Sequence, residues 1–113
     1  MVIENDLDIL DLIQLFLDDI GFEVMPSQNR VPIEKIIIDN PSLILLDYFL
    51  NDGYGHDICA ELKENSLTKD IPVIIMSASN HVEKYARACQ ASAFMPKPFD
   101  ILELENIIRK HVV

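Results

Sequence analysis

The chain has 113 residues, half of them apolar, with 19 acidic against 9 basic side chains and a net charge of -10. That length makes a single domain, 1–113, whose apolar fraction can fill one sizeable core, which excludes a disordered tail. The charge disfavours direct binding to nucleic acid or to an anionic membrane, since both select Lys and Arg, and leaves a protein or a cation as the expected partner.

Met1-Val2-Ile3 is apolar and stops at Glu4-Asn5-Asp6, which reads as a short buried strand, clipped at its front, that enters a helix. From Asp6 the apolar positions Ile9, Leu10, Ile13, Phe16, Leu17 and Ile20 recur at helical spacing, and Gly21 follows where helices commonly end in a left-handed residue. Phe22-Glu23-Val24 reads as the second strand and Pro26 to Arg30 as a polar turn. Pro32 suits the first turn of a helix running through Ile33, Ile36, Ile37 and Ile38 to Asn40. Leu43-Ile44-Leu45-Leu46-Asp47 is a run apolar on both faces, the pattern of a strand inside a parallel sheet, and it ends on a carboxylate.

Asn51 to Gly55 is a turn-rich loop, and Ile58, Cys59 and Leu62 mark one face of a third helix. Ile71-Pro72-Val73-Ile74-Ile75-Met76 is a second two-sided apolar run, which ends at the hydroxyls of Ser77-Ala78-Ser79. Asn80 is placed to cap a fourth helix through Val82, Tyr85, Ala86 and Cys89. Ala93-Phe94-Met95 is the last strand, and Pro96 removes a backbone donor there, which argues for the sheet edge. Asp100 then caps a closing helix with Ile101, Leu104, Ile107, Ile108 and Val112 on its apolar stripe. Strands and helices alternate throughout, so right-handed crossovers give a doubly wound α/β domain with one five-stranded parallel sheet and five helices.

Cys59 and Cys89 match no zinc or C-x-x-C spacing, and His56, His81 and His111 are scattered, so neither a structural metal nor a disulfide framework is expected. A reduced, cytoplasmic setting fits. No apolar run approaches the length of a membrane span, and Met1 to Asp8 lacks the basic region of a secretory signal.

In a parallel sheet all strand C-termini emerge on one edge, where open α/β folds place their ligands. The residues after strands one, three, four and five are Glu4 and Asn5, Asp47, Ser77 and Lys97. Two acids, an amide, a hydroxyl and an ammonium suit a hard, oxygen-seeking cation beside a phosphoryl group. Each has a plainer role when taken alone: Asp47 as a turn former, Lys97 as a loop lysine, Ser77 as a strand terminator, Phe94 as core, Glu4 as a solvated acid in a first helical turn.

Together, the acidic cluster in Val2-Ile3-Glu4-Asn5-Asp6, the Leu43 to Asp47 strand, the Pro72 to Ser77 strand ending Ser-Ala and the Lys97-Pro98-Phe99 exit resemble the receiver domain of two-component response regulators over almost the whole chain. The resemblance implies a flavodoxin-like sheet of strand order 2-1-3-4-5. It implies that Asp47 is a phosphoacceptor, served by a sensor histidine kinase, a phosphotransfer protein or a small phosphodonor. Glu4, Asn5, Asp47 and the backbone carbonyl of Phe49 would hold Mg²⁺, while Ser77, Ala78 and Lys97 would border the phosphate. Ser77 and Phe94 would form the switch, and the bond to Pro98 would be cis. The face of the fourth helix, fifth strand and fifth helix would be read by a downstream protein or an output domain outside this chain, and a homodimer through that face is a further implication. The chain would then be a phosphoacceptor with self-catalysed transfer and dephosphorylation, and no enzyme beyond that.

Gln90 stands where the family often ends its fourth helix with Gly, so an irregular helix end is expected there. Asn5 also departs from the family, which usually has Asp there. An amide oxygen can ligate Mg²⁺ but brings no charge, and two charges about 4 Å apart are worth roughly 4 kcal/mol at an effective dielectric of about 20. Asp6 could compensate by turning inward, although its position also suits a helix cap. The alternative function is therefore a receiver-like binding module that is independent of phosphate or weak in metal binding. A phosphatase acting through an aspartyl-phosphate would want an acid where Phe49 stands. A nucleotide or flavin binder would want an anion loop where the chain has Glu4-Asn5-Asp6.

Overall fold

The computed structural model describes residues 1–112. A five-stranded sheet is built from β1 (Val2–Ile3), β2 (Pro26–Ser27), β3 (Ile44–Asp47), β6 (Val73–Ser77) and β7 (Ala93–Pro96) in the spatial order β2-β1-β3-β6-β7. Every pairing in it is parallel. A two-stranded antiparallel hairpin, β4 (Phe49–Leu50) with β5 (Gly53–Tyr54), stands just beyond β3.

The helices are α1 (Leu7–Asp19), α2 (Ile33–Asp39), α3 (Gly55–Glu64), α4 (Glu83–Ala88) and α5 (Ile101–His111). They divide the core into two layers by the alternation of side chains along the strands. Ile44, Leu46, Val73 and Ile75 pack with Ile36, Ile58, Leu62 and Ala86 from α2, α3 and α4. Leu45, Ile74, Met76 and Met95 pack with Leu10, Ile13, Leu17, Leu104 and Ile108 from α1 and α5. Covered on both faces, β3 and β6 are buried along their whole length, which is why they read as unbroken apolar runs.

Local chemistry sets several element ends. The Asp6 carboxylate caps α1, accepting from the N–H groups of Asp8 at 2.9 Å and Ile9 at 3.2 Å. Asp6 is thereby committed to the helix end rather than turned inward beside Asn5. Gly21, just past α1, has φ +96°, a backbone that suits only glycine well. Gln90 takes φ +65° after α4, so that helix does end irregularly. Asp100 caps α5 through the Leu102 N–H at 2.7 Å. Pro96 lies in β7, which is an edge strand pairing only with β6.

Three local expectations fail. The second strand is not Phe22–Val24 but Pro26–Ser27, inside the stretch read as a turn, because β1 offers only Val2 and Ile3 as partners and their register falls on Pro26 and Ser27. Phe22 and Val24 pack instead against the apolar layer of α1 and α5. The loop at Asn51 to Gly55 contains β5 and the start of α3. Asn80 caps nothing through its side chain; it opens a 3-10 turn, Asn80–Val82, that leads into α4.

Candidate functional site

The C-terminal ends of β1, β3, β6 and β7 converge on one acidic cleft. Asp47 pairs with Met76, and the Tyr48 N–H donates to the Met76 carbonyl at 2.9 Å, which brings the ends of β3 and β6 level. Ser77 pairs with Pro96, and the Lys97 N–H donates to the Ser77 carbonyl at 2.8 Å, which delivers Lys97 to the same edge. Its ammonium donates to both Glu4 carboxylate oxygens at 2.9 Å and to Asp47 Oδ1 at 3.4 Å. The Lys97–Pro98 peptide is cis.

These charges are held away from water. Glu4 is 1% exposed and Asp47 6%. Burial pushes the Glu4 carboxyl above its usual 4.5, the neighbouring Asp47 charge adds to the rise, and the Lys97 ammonium opposes it. One cation thus faces two carboxylates.

Around this triad, Ser77 is buried and its Oγ accepts from the Ser79 N–H at 3.1 Å, while Ala78 is exposed at the start of the loop. Phe49 is half exposed, with its ring edge-on to Tyr48 at 4.8 Å. Phe94 is half-buried, opposite Ile75, and packs on the layer formed with α2, α3 and α4. Glu4, Asp47 and Lys97 are therefore in direct contact, with Ser77 on the neighbouring strand end and Phe94 further back on the sheet.

Whether these residues fit a divalent ion turns on Asn5. Its Oδ1 is buried and, among the described residues, has no hydrogen-bond partner, so an acceptor oxygen on the residue that follows Glu4 stands without a donor. An orphaned oxygen of this kind is ordinarily satisfied by an ion or water. Among the described residues no three His, Cys, Asp or Glu side chains cluster closely enough to hold a metal by themselves. An ion here would rely on the Asn5 amide and on backbone oxygen as well as on Glu4 and Asp47. The Gly55 N–H donates to the Tyr48 carbonyl, which makes Phe49 and Tyr54 a non-hydrogen-bonded pair and leaves the Phe49 carbonyl out of the hairpin exchange. The donor set is all hard oxygen and suits Mg²⁺.

Two features escaped the sequence. Gly55 opens α3 against the backbone of the Asp47 loop, and a Cβ there would sit 2.8 Å from the Asp47 carbonyl oxygen and 2.9 Å from Tyr48 Cα. Gly55→Ala is accordingly expected to displace that loop and to cost about 1–3 kcal/mol, measured as a shift of the urea midpoint. An unchanged midpoint would show that the loop yields freely. The second feature is an aromatic stack: Tyr48 lies 5.2 Å from His56, 5.6 Å from Tyr54 and 6.1 Å from Tyr85 on α4, with His56 and Tyr85 5.3 Å apart. The alternation Ile44, Leu46, Tyr48 hints that Tyr48 faces α3 and α4, but nothing in the sequence joins it to Tyr85.

A doubly wound parallel sheet with a lysine clamped between two carboxylates at its C-terminal edge defines a receiver-type domain. The chain belongs to the response regulator receiver domain family, whose model matches residues 1–109. It is 29% identical over 107 residues to the phosphate regulon transcriptional regulatory protein PhoB of Pseudomonas aeruginosa, covering 92% of this chain and 47% of that protein. It is 33% identical over 112 residues to the transcriptional regulatory protein KdpE of Staphylococcus aureus, covering 96% of this chain and 47% of that protein. The chain thus spans about half the length of these curated relatives. In fold it resembles the chemotaxis protein CheY4 of Vibrio cholerae, with a TM-score of 0.87 at 18% identity, covering 97% of this chain and 94% of that one. A CheY-like receiver domain protein of Methanospirillum hungatei gives 0.86 at 22% identity, covering 98% and 90%. Among the described residues no helix is long and apolar enough to cross a membrane.

Proposed function

We propose that the chain is a phosphorylation-controlled signalling switch in which Asp47 accepts a phosphoryl group with the help of Mg²⁺, and in which the surface of α4, β7 and α5 reports the result. The observation that carries this function is the Lys97 ammonium bridging Glu4 and Asp47 at 2.9 and 3.4 Å. A cation on the flank of a buried carboxylate is placed to accompany the phosphoryl oxygens that arrive there.

In the proposed transfer an Asp47 oxygen forms a bond to phosphorus as the bond from phosphorus to the donor breaks, whether that donor is a phosphohistidine or acetyl phosphate. Bound Mg²⁺ would neutralise phosphoryl oxygens, held by Glu4, Asn5, Asp47 and the Phe49 carbonyl. Lys97 remains as counter-charge, and Ala78 leaves the approach open at the rim. Ser77 exchanges its bond with the Ser79 N–H for a phosphoryl oxygen, which draws the following loop inward and gives Phe94 room to turn. Donors would be a sensor histidine kinase or a phosphotransfer protein, and the reader a downstream protein or an attached output domain. On this view the chain is a phosphoacceptor and turns over no separate substrate.

A second function is favoured by the uncharged Asn5: a receiver-like module that binds its partner without phosphate. Incubation of the chain with acetyl phosphate and Mg²⁺ separates the two. The switch requires a mass gain of one phosphoryl group that chelation prevents, whereas the module stays unmodified.

The Asn5 amide also sets an expectation for the ion. Asn5→Asp adds a third negative charge to the donor set, and after solvent screening it should tighten Mg²⁺ by about 1–2 kcal/mol, roughly five- to thirtyfold in Kd. Titration calorimetry measures this directly, and equal affinities in the two proteins would remove Asn5 from the ligand set.

A further inference from the structure

The helices α3 and α4 meet along one face of each. His56 and Cys59 stand three positions apart on α3, while Tyr85 and the C-cap residue Cys89 stand four apart on α4, and either spacing returns a side chain to the same side of a helix. Tyr85 accordingly stacks on His56 at 5.3 Å, and one turn further on Cys59 meets Cys89. The Cys59 thiol donates to the Cys89 carbonyl at 3.3 Å, and the Cys89 thiol donates to the Ala86 carbonyl at 3.2 Å. These are the two cysteines of the chain, and both thiols are free.

Their surroundings differ. Cys59 is 0% exposed and Cys89 8%. Burial pushes the Cys59 thiol up and the adjoining Cys89 thiol adds to the rise, with Lys63 a lesser, opposing influence, so Cys59 keeps its proton. Cys89 stands at the end of a helix only six residues long, and the backbone turns at Gln90, φ +65°, immediately after it. Local opening at such an end admits a small reagent more readily than the interior of the ten-residue α3 does.

We propose that Cys59 and Cys89 form a thiol modification site, oxidised by a hydroperoxide to a disulfide that fastens the end of α4 to α3. Cys89 reacts first: its sulfur gives up a proton and bonds to one peroxide oxygen as the O–O bond breaks, and the other oxygen leaves with that proton. The product is a sulfenic acid beside the Cys59 thiol. The Cys59 sulfur then bonds to the Cys89 sulfur, the S–O bond breaks, and the departing hydroxyl takes the Cys59 proton as water. Two thiols lose one electron each and the peroxide takes both, so hydrogen peroxide ends as two waters. Cys59 surrenders its proton only as the S–S bond forms, in keeping with a thiol held protonated until then. No step involves Asp47, so the site goes beyond the phosphorylation switch and is tested apart from it.

The test exposes the full chain to hydrogen peroxide, unfolds it with an alkylating agent present and weighs it intact. Both thiols should vanish together in the monomer, with loss of two hydrogen atoms and no alkylation, and dithiothreitol should restore both. Two alkylated thiols under conditions that consume free cysteine would overturn the proposal, as would a Cys89 sulfinic acid beside an alkylated Cys59 or a disulfide joining separate chains. This measurement needs no substitution. Cys59→Ala should leave Cys89 as a sulfenic acid that dimedone traps, and Cys89→Ala should slow oxidation of Cys59 by about tenfold or more. Undiminished oxidation of Cys59 in the second variant would overturn the order of attack. In the oxidised chain the amides of segment 83–89 should exchange with solvent about tenfold more slowly, and unchanged exchange would overturn the fastening of α4.

Discussion

Asp47→Asn is expected to abolish phosphorylation by acetyl phosphate completely while leaving the chain folded. The substitution keeps the shape of the side chain and removes the carboxylate oxygen that would bond to phosphorus, so intact mass spectrometry should find no phosphorylated species under conditions that modify the unaltered chain. It also removes one of two buried acids that share a single ammonium. Burial is the main cause that raises the Glu4 carboxyl, and the Asp47 charge adds to it, so its removal should let that carboxyl fall and offset the lost Lys97–Asp47 pair, leaving the unphosphorylated protein as stable as before or more so. Loss of labelling with unchanged or higher urea midpoint is the signature of a phosphoacceptor. Persistent labelling of the variant would move the acceptor to another residue.

Lys97→Met is expected to be the most damaging single change to the resting fold. It leaves Glu4 and Asp47 facing one another inside the cleft with no cation, and breaking a buried ion pair in this one-sided way typically costs about 3–5 kcal/mol. The Lys97 side chain is 15% exposed, so water at the cleft mouth should reduce the cost to about 2–4 kcal/mol at neutral pH. The pH dependence carries a definite sign. Glu4 titrates above 4.5 in the folded chain, so the folded state binds more protons than the unfolded one in that window and stability falls as pH rises through it. Lys97 opposes this rise, so the variant should lose stability more steeply and up to a higher pH. Its deficit against the unaltered protein should shrink as the medium is acidified and Glu4 is neutralised. Urea midpoints measured from pH 4 to 8 test this, and Lys97→Arg should recover most of the loss. A deficit independent of pH would assign it to lost packing instead of charge.

What could be read from the residues, and what could not, follows from the range of the interactions involved. β3 and β6 were evident as two-sided apolar runs because burial on both faces is a property of consecutive residues. The convergence of Glu4, Asp47 and Lys97 was evident too, since parallel topology alone sends those strand ends to one edge. β2 was misplaced because a two-residue edge strand containing proline is defined by its partner's register and not by its own pattern. Gly55 and the Tyr48 to Tyr85 stacking were hidden for a related reason: each depends on how closely two separate elements approach. The commitment of Asp6 to the α1 cap and the orphaned Asn5 oxygen required coordinates, because the sequence allowed Asp6 either role.

The aromatic stack has a practical consequence. The chain has no tryptophan and three tyrosines, and all three, Tyr48, Tyr54 and Tyr85, belong to that one stack next to Asp47, the proposed phosphoacceptor. The tyrosine part of its ultraviolet emission and near-ultraviolet dichroism therefore originates at a single spot. The proposed Mg²⁺ uptake, the proposed phosphorylation of Asp47 and any shift of α4 would then be open to optical spectroscopy in real time without an attached label.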